Sequence, residues 1–365
     1  MEKRLKALVI AEIPAPYRVD IFLEMAKNID LDVFFQDNKD QSRSPDYFVK
    51  SGALKFSILD DQINQNIFKS TLSKIQDYDL LIAYHPVCKA ALQAEWVCRR
   101  NHIPYFVNID GAFINPNLIK DTIKRWVYRN AAGCFSGGSS ATAYYLYYGV
   151  KKEKIFEYGF TSLHPEDILD GVIKKEEKEN KRQELGLLNK KTIIAIGQFI
   201  PRKGFDILLK AWRLLSNIDA QLLIVGGGPD RCQYEEYITK NSLRNVKLID
   251  FMSKDKLKEY YLASDIFVLP TREDIWGLVI NEAMSFGLPV IKTDRCNAGT
   301  QLIVDGENGY IVPVDEAALA ERMRALLMLP SLEELGQNNI SKISDYTIEN
   351  AAASNIQAIM SVMYK

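Results

Sequence analysis

The chain has 365 residues, of which 47% are hydrophobic and 25% charged, and its formal net charge is -1. That length exceeds one ordinary core and suits two domains. The near-neutral balance excludes a general nucleic-acid binder, and the apolar content excludes a disordered chain. Five cysteines (Cys88, Cys98, Cys134, Cys232, Cys296) show no CxxC spacing. They read as reduced core residues of a cytoplasmic protein, so neither a disulfide frame nor a metal site is expected. The N-terminus carries only a short apolar run before Glu12, too little for a secretory signal or a spanning helix.

Taken in order, apolar runs at 6–11, 31–35, 54–59, 80–84, 105–109 and 133–136 alternate with helical patterns. This is the signature of parallel βα units, and the continuous hydrophobicity predicts strands covered on both faces. The first run ends in Glu12-Ile13-Pro14-Ala15-Pro16-Tyr17-Arg18 before a helix over 19–26, which is no glycine-rich dinucleotide turn. Arg18 suits an anionic acceptor or, equally, a plain surface position. Asp77-Tyr78-Asp79 has metal-binding spacing but stands before a strand, the wrong end for a ligand, and reads as a turn. His85 and Asp110 each end a strand on the ligand-binding edge, whereas His102 and His164 read as loop residues. A carboxylate at Asp110 suits a general base or a partner for an acceptor hydroxyl, with a helix cap as the alternative. The stretch 117–129 places Ile119, Ile123, Trp126 and Val127 on one face, with Lys120, Lys124, Arg125 and Arg129 around the other. Such a helix rests on an anionic membrane surface or packs on its own domain. A Tyr-rich helix starts at Ser139-Ser140 and ends at Gly149. The pattern then loosens over 155–168, and the charge run at 174–184 reads as a solvated helix after a linker.

A strand over 192–196 opens the second half and leads into Gly197-Gln198-Phe199-Ile200-Pro201-Arg202-Lys203-Gly204 and a helix over 205–215. Arg202 and Lys203 thus stand at a strand's C-terminal end beside a helix N-terminus, and both features favour phosphate. After the strand at 222–225, Gly226-Gly227-Gly228-Pro229-Asp230 lacks the last glycine of GxGxxG, since Arg231 takes its place. It reads as close backbone approach to a ligand. The strand at 246–250 precedes Phe251-Met252-Ser253, and Ser253 caps a helix through Tyr261. A strand over 265–269 is stopped by Pro270, and the loop Arg272-Glu273-Asp274 closes at Trp276 and Gly277. The apolar helix over 278–286 starts there, so its unpaired amides make an anion site. Glu282 stands on this helix among apolar residues. Sugar or ribose hydroxyls would partner it, with a backbone amide or an arginine as the ordinary alternative. A strand at 290–293, the loop 294–299, a turn at 308–309 and a final helix over 347–363 complete the chain.

With the loops at 197–204, 226–229 and 270–289 in this order, the chain resembles the retaining glycosyltransferases of family four. The likeness is strong over 192–313 and weaker in PAPYR at 14–18 and SGGSSA at 136–141. EDIWGLVINEAMSFGLPVI is similar to the family's E-x7-E signature, with Asp274 in the place of the first acid and Glu273 its neighbour. The resemblance implies the α/β GT-B fold: two Rossmann-like, doubly wound parallel-sheet domains facing a cleft, with the C-terminal helix crossing back. Residues 1–170 with 346–365 would form the acceptor side and residues 171–345 the nucleotide-sugar side. It implies metal-independent transfer of a sugar from a nucleotide-sugar to an acceptor hydroxyl with retention, without a cofactor. The setting it suggests is bacterial capsule, O-antigen or exopolysaccharide synthesis. A phosphorylase or epimerase of the same architecture, or a non-catalytic nucleotide-sugar binder, is the alternative.

By the same resemblance Lys203 would neutralise the donor diphosphate, Asp274 would bind sugar hydroxyls at the reacting carbon, and Glu282 would take the ribose. The amides around Gly277 and Leu278 would hold phosphate and sugar. Gln198 replaces the family's arginine, and Arg202 is expected to compensate. Gly227, Gly228, Phe251, Met252 and Trp276 complete the donor side. Asp110 stands where the family often has a histidine, with Tyr17, Arg18 and His85 on the acceptor side. The partners implied are a nucleotide-sugar and a glycan or lipid-linked acceptor, and the residue pattern of helix 117–129 adds the inner face of a membrane as a candidate contact.

Overall fold

A computed structural model describes residues 4–37, 54–297 and 299–364. Its contacts divide the chain into a unit of residues 1–162 with 346–365 and a unit of residues 163–345. In the first unit strands alternate with helices: β1 (Lys6–Ala11), α1 (Pro16–Met25), β2 (Asp30–Phe35), β3 (Phe56–Ile58), α2 (Gln62–Ser73), β4 (Leu80–Tyr84), α3 (Lys89–Arg100), β5 (Tyr105–Ile109), α4 (Leu118–Asn130), β6 (Gly133–Ser136), α5 (Ser139–Tyr147) and β7 (Ile155–Glu157). The strands form one sheet in the order β3-β2-β1-β4-β5-β6-β7, with every pair parallel. Leu8, Ile10, Leu81, Ala83 and Val107 from the strands pack against Ala91, Ala94, Tyr128 and Tyr145 from the helices. Helices on both faces leave no polar face to the central strands, which is why β1, β4 and β5 read as unbroken apolar runs.

The second unit contains α6 (Lys175–Glu184), β8 (Lys191–Ile196), α7 (Phe205–Arg213), β9 (Ala220–Val225), α8 (Arg231–Lys240), β10 (Val246–Ile249), α9 (Lys254–Leu262), β11 (Ile266–Leu269), α10 (Leu278–Ser285), β12 (Val290–Thr293), α11 (Gly299–Leu302), β13 (Gly309–Val312), α12 (Glu316–Met328) and α13 (Glu333–Ile343). Its parallel sheet runs β10-β9-β8-β11-β12-β13. The last helix, α14 (Ile348–Met363), belongs to the first unit. There it packs on α1 through small residues such as Ala351, Ala352 and Ala358. Among the described residues no helix is long and apolar enough to cross a membrane.

Strand order places the functional edges. In a doubly wound sheet ligands bind at the C-terminal ends of the strands where the order reverses. That point lies between β1 and β4 in the first unit, at residues 12–18 and His85. In the second it lies between β8 and β11, at the loops 197–204 and 270–277.

Several expectations are corrected. The first helix starts at Pro16, because proline at a first helical position has its backbone angle preset and needs no N–H partner. The charge run at 174–184 is not wholly solvated: Lys178 and Arg182 are buried. Lys178 Nζ donates to the Ser264 carbonyl at 2.7 Å and Arg182 Nε to the Ala263 carbonyl at 2.9 Å, while Arg182 pairs with Asp265 at 2.5 Å. Cations at the open C-terminal carbonyls of α9 satisfy groups that the helix itself cannot. Cys232 is exposed, since only Tyr234 of α8 is buried. The apolar face expected on α4 divides, with Val127 inside and Ile119 and Ile123 outside, because the sheet takes up the turn carrying Val127 and Tyr128. The strand β7 was not legible, being three partly exposed residues. Ala298, in the expected 294–299 loop, lies outside the described residues.

Candidate functional site

In the second unit two strand-end loops are stitched together. Gly204 has φ of 70°, and a Cβ there would come within 2.0 Å of the Pro270 carbonyl, so only glycine lets the loops meet. The Arg272 amide donates to the Arg202 carbonyl at 2.8 Å, the Thr271 hydroxyl donates to it at 3.0 Å, and Arg202 Nη1 donates to the Glu273 carbonyl at 2.8 Å. The result is an ion pair between Lys203 Nζ and Asp274, 2.5 Å apart, with the side chains 13% and 12% exposed. Gly277, at φ of 88°, is the N-cap of α10, and no side chain caps that end. Its missing Cβ would lie 3.8 Å from the Asp274 carboxyl carbon and 2.8 Å from Cys296 Sγ. Lysine, carboxylate and open helix amides therefore converge on one spot, an arrangement suited to an anion carrying hydroxyl groups.

Other residues expected on the donor side fall around it. Gly227 follows β9 and a Cβ there would touch the Phe251 ring at 3.3 Å, whereas Phe251 is otherwise 60% exposed. Gly228 lies against the Phe199 carbonyl. Gln198 and Met252 are half-buried, as is Leu278 in the first turn of α10. Arg202 is exposed, with one guanidinium nitrogen committed to Glu273. The expectation for Trp276 is corrected in part: its indole is buried and donates to Asn281 Oδ1 at 3.0 Å, since that fully buried amide needs a donor. The Trp276 carbonyl is buried as well and accepts from Cys296 Sγ at 2.8 Å.

Glu282 sits further along α10, about 7.5 Å from Gly277 by helical rise. It borders a narrow recess with Asp167, Lys254, Leu257 and Tyr261. Tyr261 donates its hydroxyl to Glu282 at 3.1 Å. Burial pushes the Glu282 carboxyl up from its ordinary value, while Tyr261 and Lys254 hold it down. Tyr261 is anchored by stacking on Phe286, with ring centroids 5.0 Å apart.

In the first unit Arg18 is buried and its Nη2 lies 2.6 Å from both oxygens of Asp110. The guanidinium lies 4.4 Å over the Tyr84 ring and 5.2 Å from that of Tyr17. Tyr158 donates to Asp110 at 3.3 Å and accepts from Asn108 at 2.8 Å. Asp110 is thus the counter-ion of a buried arginine, which would otherwise be costly to bury, and not a carboxylate held open for an acceptor proton. His85 takes the left-handed conformation at φ of 70°, and its Nδ1 meets Glu12 at 2.8 Å. That bond raises the His85 pKa, with burial opposing it. The Asp79 carboxylate accepts from the Lys6 amide at 2.8 Å, at the N-terminal end of the sheet. Tyr261, Cys296, Glu12 and Tyr158 were given no site role from the sequence, because nothing in their local spacing signals a partner 20 to 73 residues away.

Residues 177–342 match the family model described as glycosyl transferases group 1. Most of the second unit is thus similar to the glycosyl transferases group 1. An uncharacterized glycosyltransferase of Haemophilus influenzae is 33% identical to the chain over 161 residues, covering 42% of this chain and 43% of that relative. The amylovoran biosynthesis glycosyltransferase AmsD of Erwinia amylovora is 32% identical over 120 residues, 33% of each chain. The matches thus span less than half the length of these relatives. Anabaena HepE, solved in complex with UDP, superposes with a TM-score of 0.78 at 16% identity over 98% of this chain and 100% of its own. The fold is that of the GT-B glycosyltransferases, two parallel-sheet α/β domains.

Proposed function

We propose that the chain transfers a sugar from a nucleoside-diphosphate sugar to an acceptor hydroxyl, with the anomeric configuration retained and without a metal ion. The observation that carries this reading is the Lys203–Asp274 pair beside the uncapped N-terminus of α10. In the reaction the bond from the anomeric carbon to the diphosphate oxygen breaks, a bond to the acceptor oxygen forms, and the proton of the acceptor hydroxyl passes to the departing diphosphate. The departing diphosphate gains negative charge, and Lys203, Arg202 and the α10 amides would be the donors that receive it. Asp274 would grip sugar hydroxyls while holding the lysine in place, and Glu282 would take the ribose. HepE carries UDP in a chain of the same fold, which supports a nucleoside diphosphate as the leaving group. AmsD, by its name, serves amylovoran biosynthesis, which supports a glycan or lipid-linked acceptor in bacterial surface-polysaccharide synthesis.

A thermal-shift panel of nucleotide-sugars tests donor binding, since a ligand that binds only the folded state raises the melting temperature. Product NMR then reads the anomeric configuration. Inversion, or activity lost to EDTA and restored by manganese, contradicts the corresponding part of the proposal.

A further inference from the structure

The helix α4 carries apolar side chains that its own unit leaves uncovered. Leu118 is 91% exposed, Ile119 77% and Ile123 40%, and Ile114 in the preceding loop is 42% exposed. The inward side of the same helix is already filled by Asp121, Val127 and Tyr128, so these four residues are surplus to the core. The interior of this part of the unit is closed by the Tyr148 hydroxyl, which donates to Asp121 of α4 at 2.8 Å.

Charge decides what the surface meets. From 117 to 130 the chain carries Lys120, Lys124, Arg125 and Arg129 but one carboxylate, Asp121, on a chain whose net charge is -1. That carboxylate is spent internally, on Tyr148 and on the Asn117 amide at 3.0 Å. Two copies facing one another here would oppose cation to cation. An anionic bilayer answers both features at once, taking apolar side chains below its headgroups and cations at their level. We infer that α4, with Ile114 in the loop before it, docks the first unit on a membrane surface rich in anionic lipid. The helix follows Asp110, at the end of β5, after a short loop. Docking there would hold the acceptor-side strand ends close to the lipid surface.

Flotation of the purified chain with vesicles tests this without donor or acceptor, so its failure is separate from failure of the transfer reaction. The wild type is expected to float with phosphatidylcholine vesicles containing phosphatidylglycerol and not with phosphatidylcholine alone. The pair Leu118→Ser and Ile119→Ser should lower the bound fraction about tenfold or more. The pair Lys120→Glu and Arg125→Glu should lower it similarly and flatten its dependence on salt. Because all four side chains point to solvent, both variants should keep the wild-type melting temperature, which removes misfolding as a cause. Absence of wild-type binding to anionic vesicles overturns the inference. So does equal binding of the serine variant, or a wild-type dimer in sedimentation that the serine pair dissociates.

Discussion

Lys203 Nζ and the Asp274 carboxylate lie 2.5 Å apart although 71 residues separate them in the chain. Each ends up beside the other because β8 and β11 are neighbours in the sheet and Gly204 lets their loops touch. Lys203→Ala removes the cation and leaves Asp274 without its counter-ion. It should lower kcat/KM for sugar transfer on the order of 10²–10³-fold, the loss typical of one donor at a site of developing charge. Lys203→Arg should recover part of that, and steady-state kinetics with the donor identified by thermal shift reads both.

Gly277 offers a geometric test. Any side chain there is strained at φ of 88° and an added Cβ meets Cys296 Sγ at 2.8 Å. Gly277→Ala should cost about 1–3 kcal/mol of stability and weaken donor binding. Adding Cys296→Ala should restore the part due to the clash and leave the part due to the backbone angle. Denaturant melts of the two variants separate these contributions.

Tyr261 tunes Glu282. Burial raises the Glu282 pKa, and the Tyr261 hydroxyl bond opposes that rise by stabilising the charged form. Tyr261→Phe removes the opposing bond, so Glu282 should protonate at higher pH than in the wild type. The acid limb of the kcat/KM profile should then move to higher pH, and donor affinity near neutrality should fall. A profile unchanged by the substitution would separate Glu282 from donor binding.

Glu95 lies in the core of the first unit, fully buried, and neither carboxylate oxygen has a hydrogen-bond partner. Burial pushes its pKa well above the ordinary 4.5. The folded state therefore keeps a proton that the unfolded chain releases above that value. Stability is fully present below it and falls as pH rises, until the folded carboxyl itself ionises. Glu95→Leu should remove this slope and raise stability by about 2 kcal/mol at pH 8, with a smaller gain at pH 5. Urea melts at the two pH values measure the difference, and equal gains at both would show that Glu95 does not bind a proton on folding.

The alternation of apolar runs with helical patterns was enough to reveal parallel sheets, because strands covered on both faces must be apolar throughout. The spacing of Pro270, Asp274, Gly277 and Glu282 was legible for a related reason. A stop, an acid, a left-handed glycine and a helix all lie within one strand-loop-helix unit, where local sequence dictates local geometry. Partnership across units of sequence was not legible. The exposure of Leu118 and the burial of Lys178 depend on which surface the sheet presents to each helix. The engagement of Asp110 by Arg18 depends on β1 and β5 lying on either side of β4. From the sequence came the elements, their order and the chemistry carried at each strand end. The tertiary structure alone decided which of those groups neutralise one another and which stay open, because charge pairing acts over a few ångströms in space and is indifferent to separation along the chain.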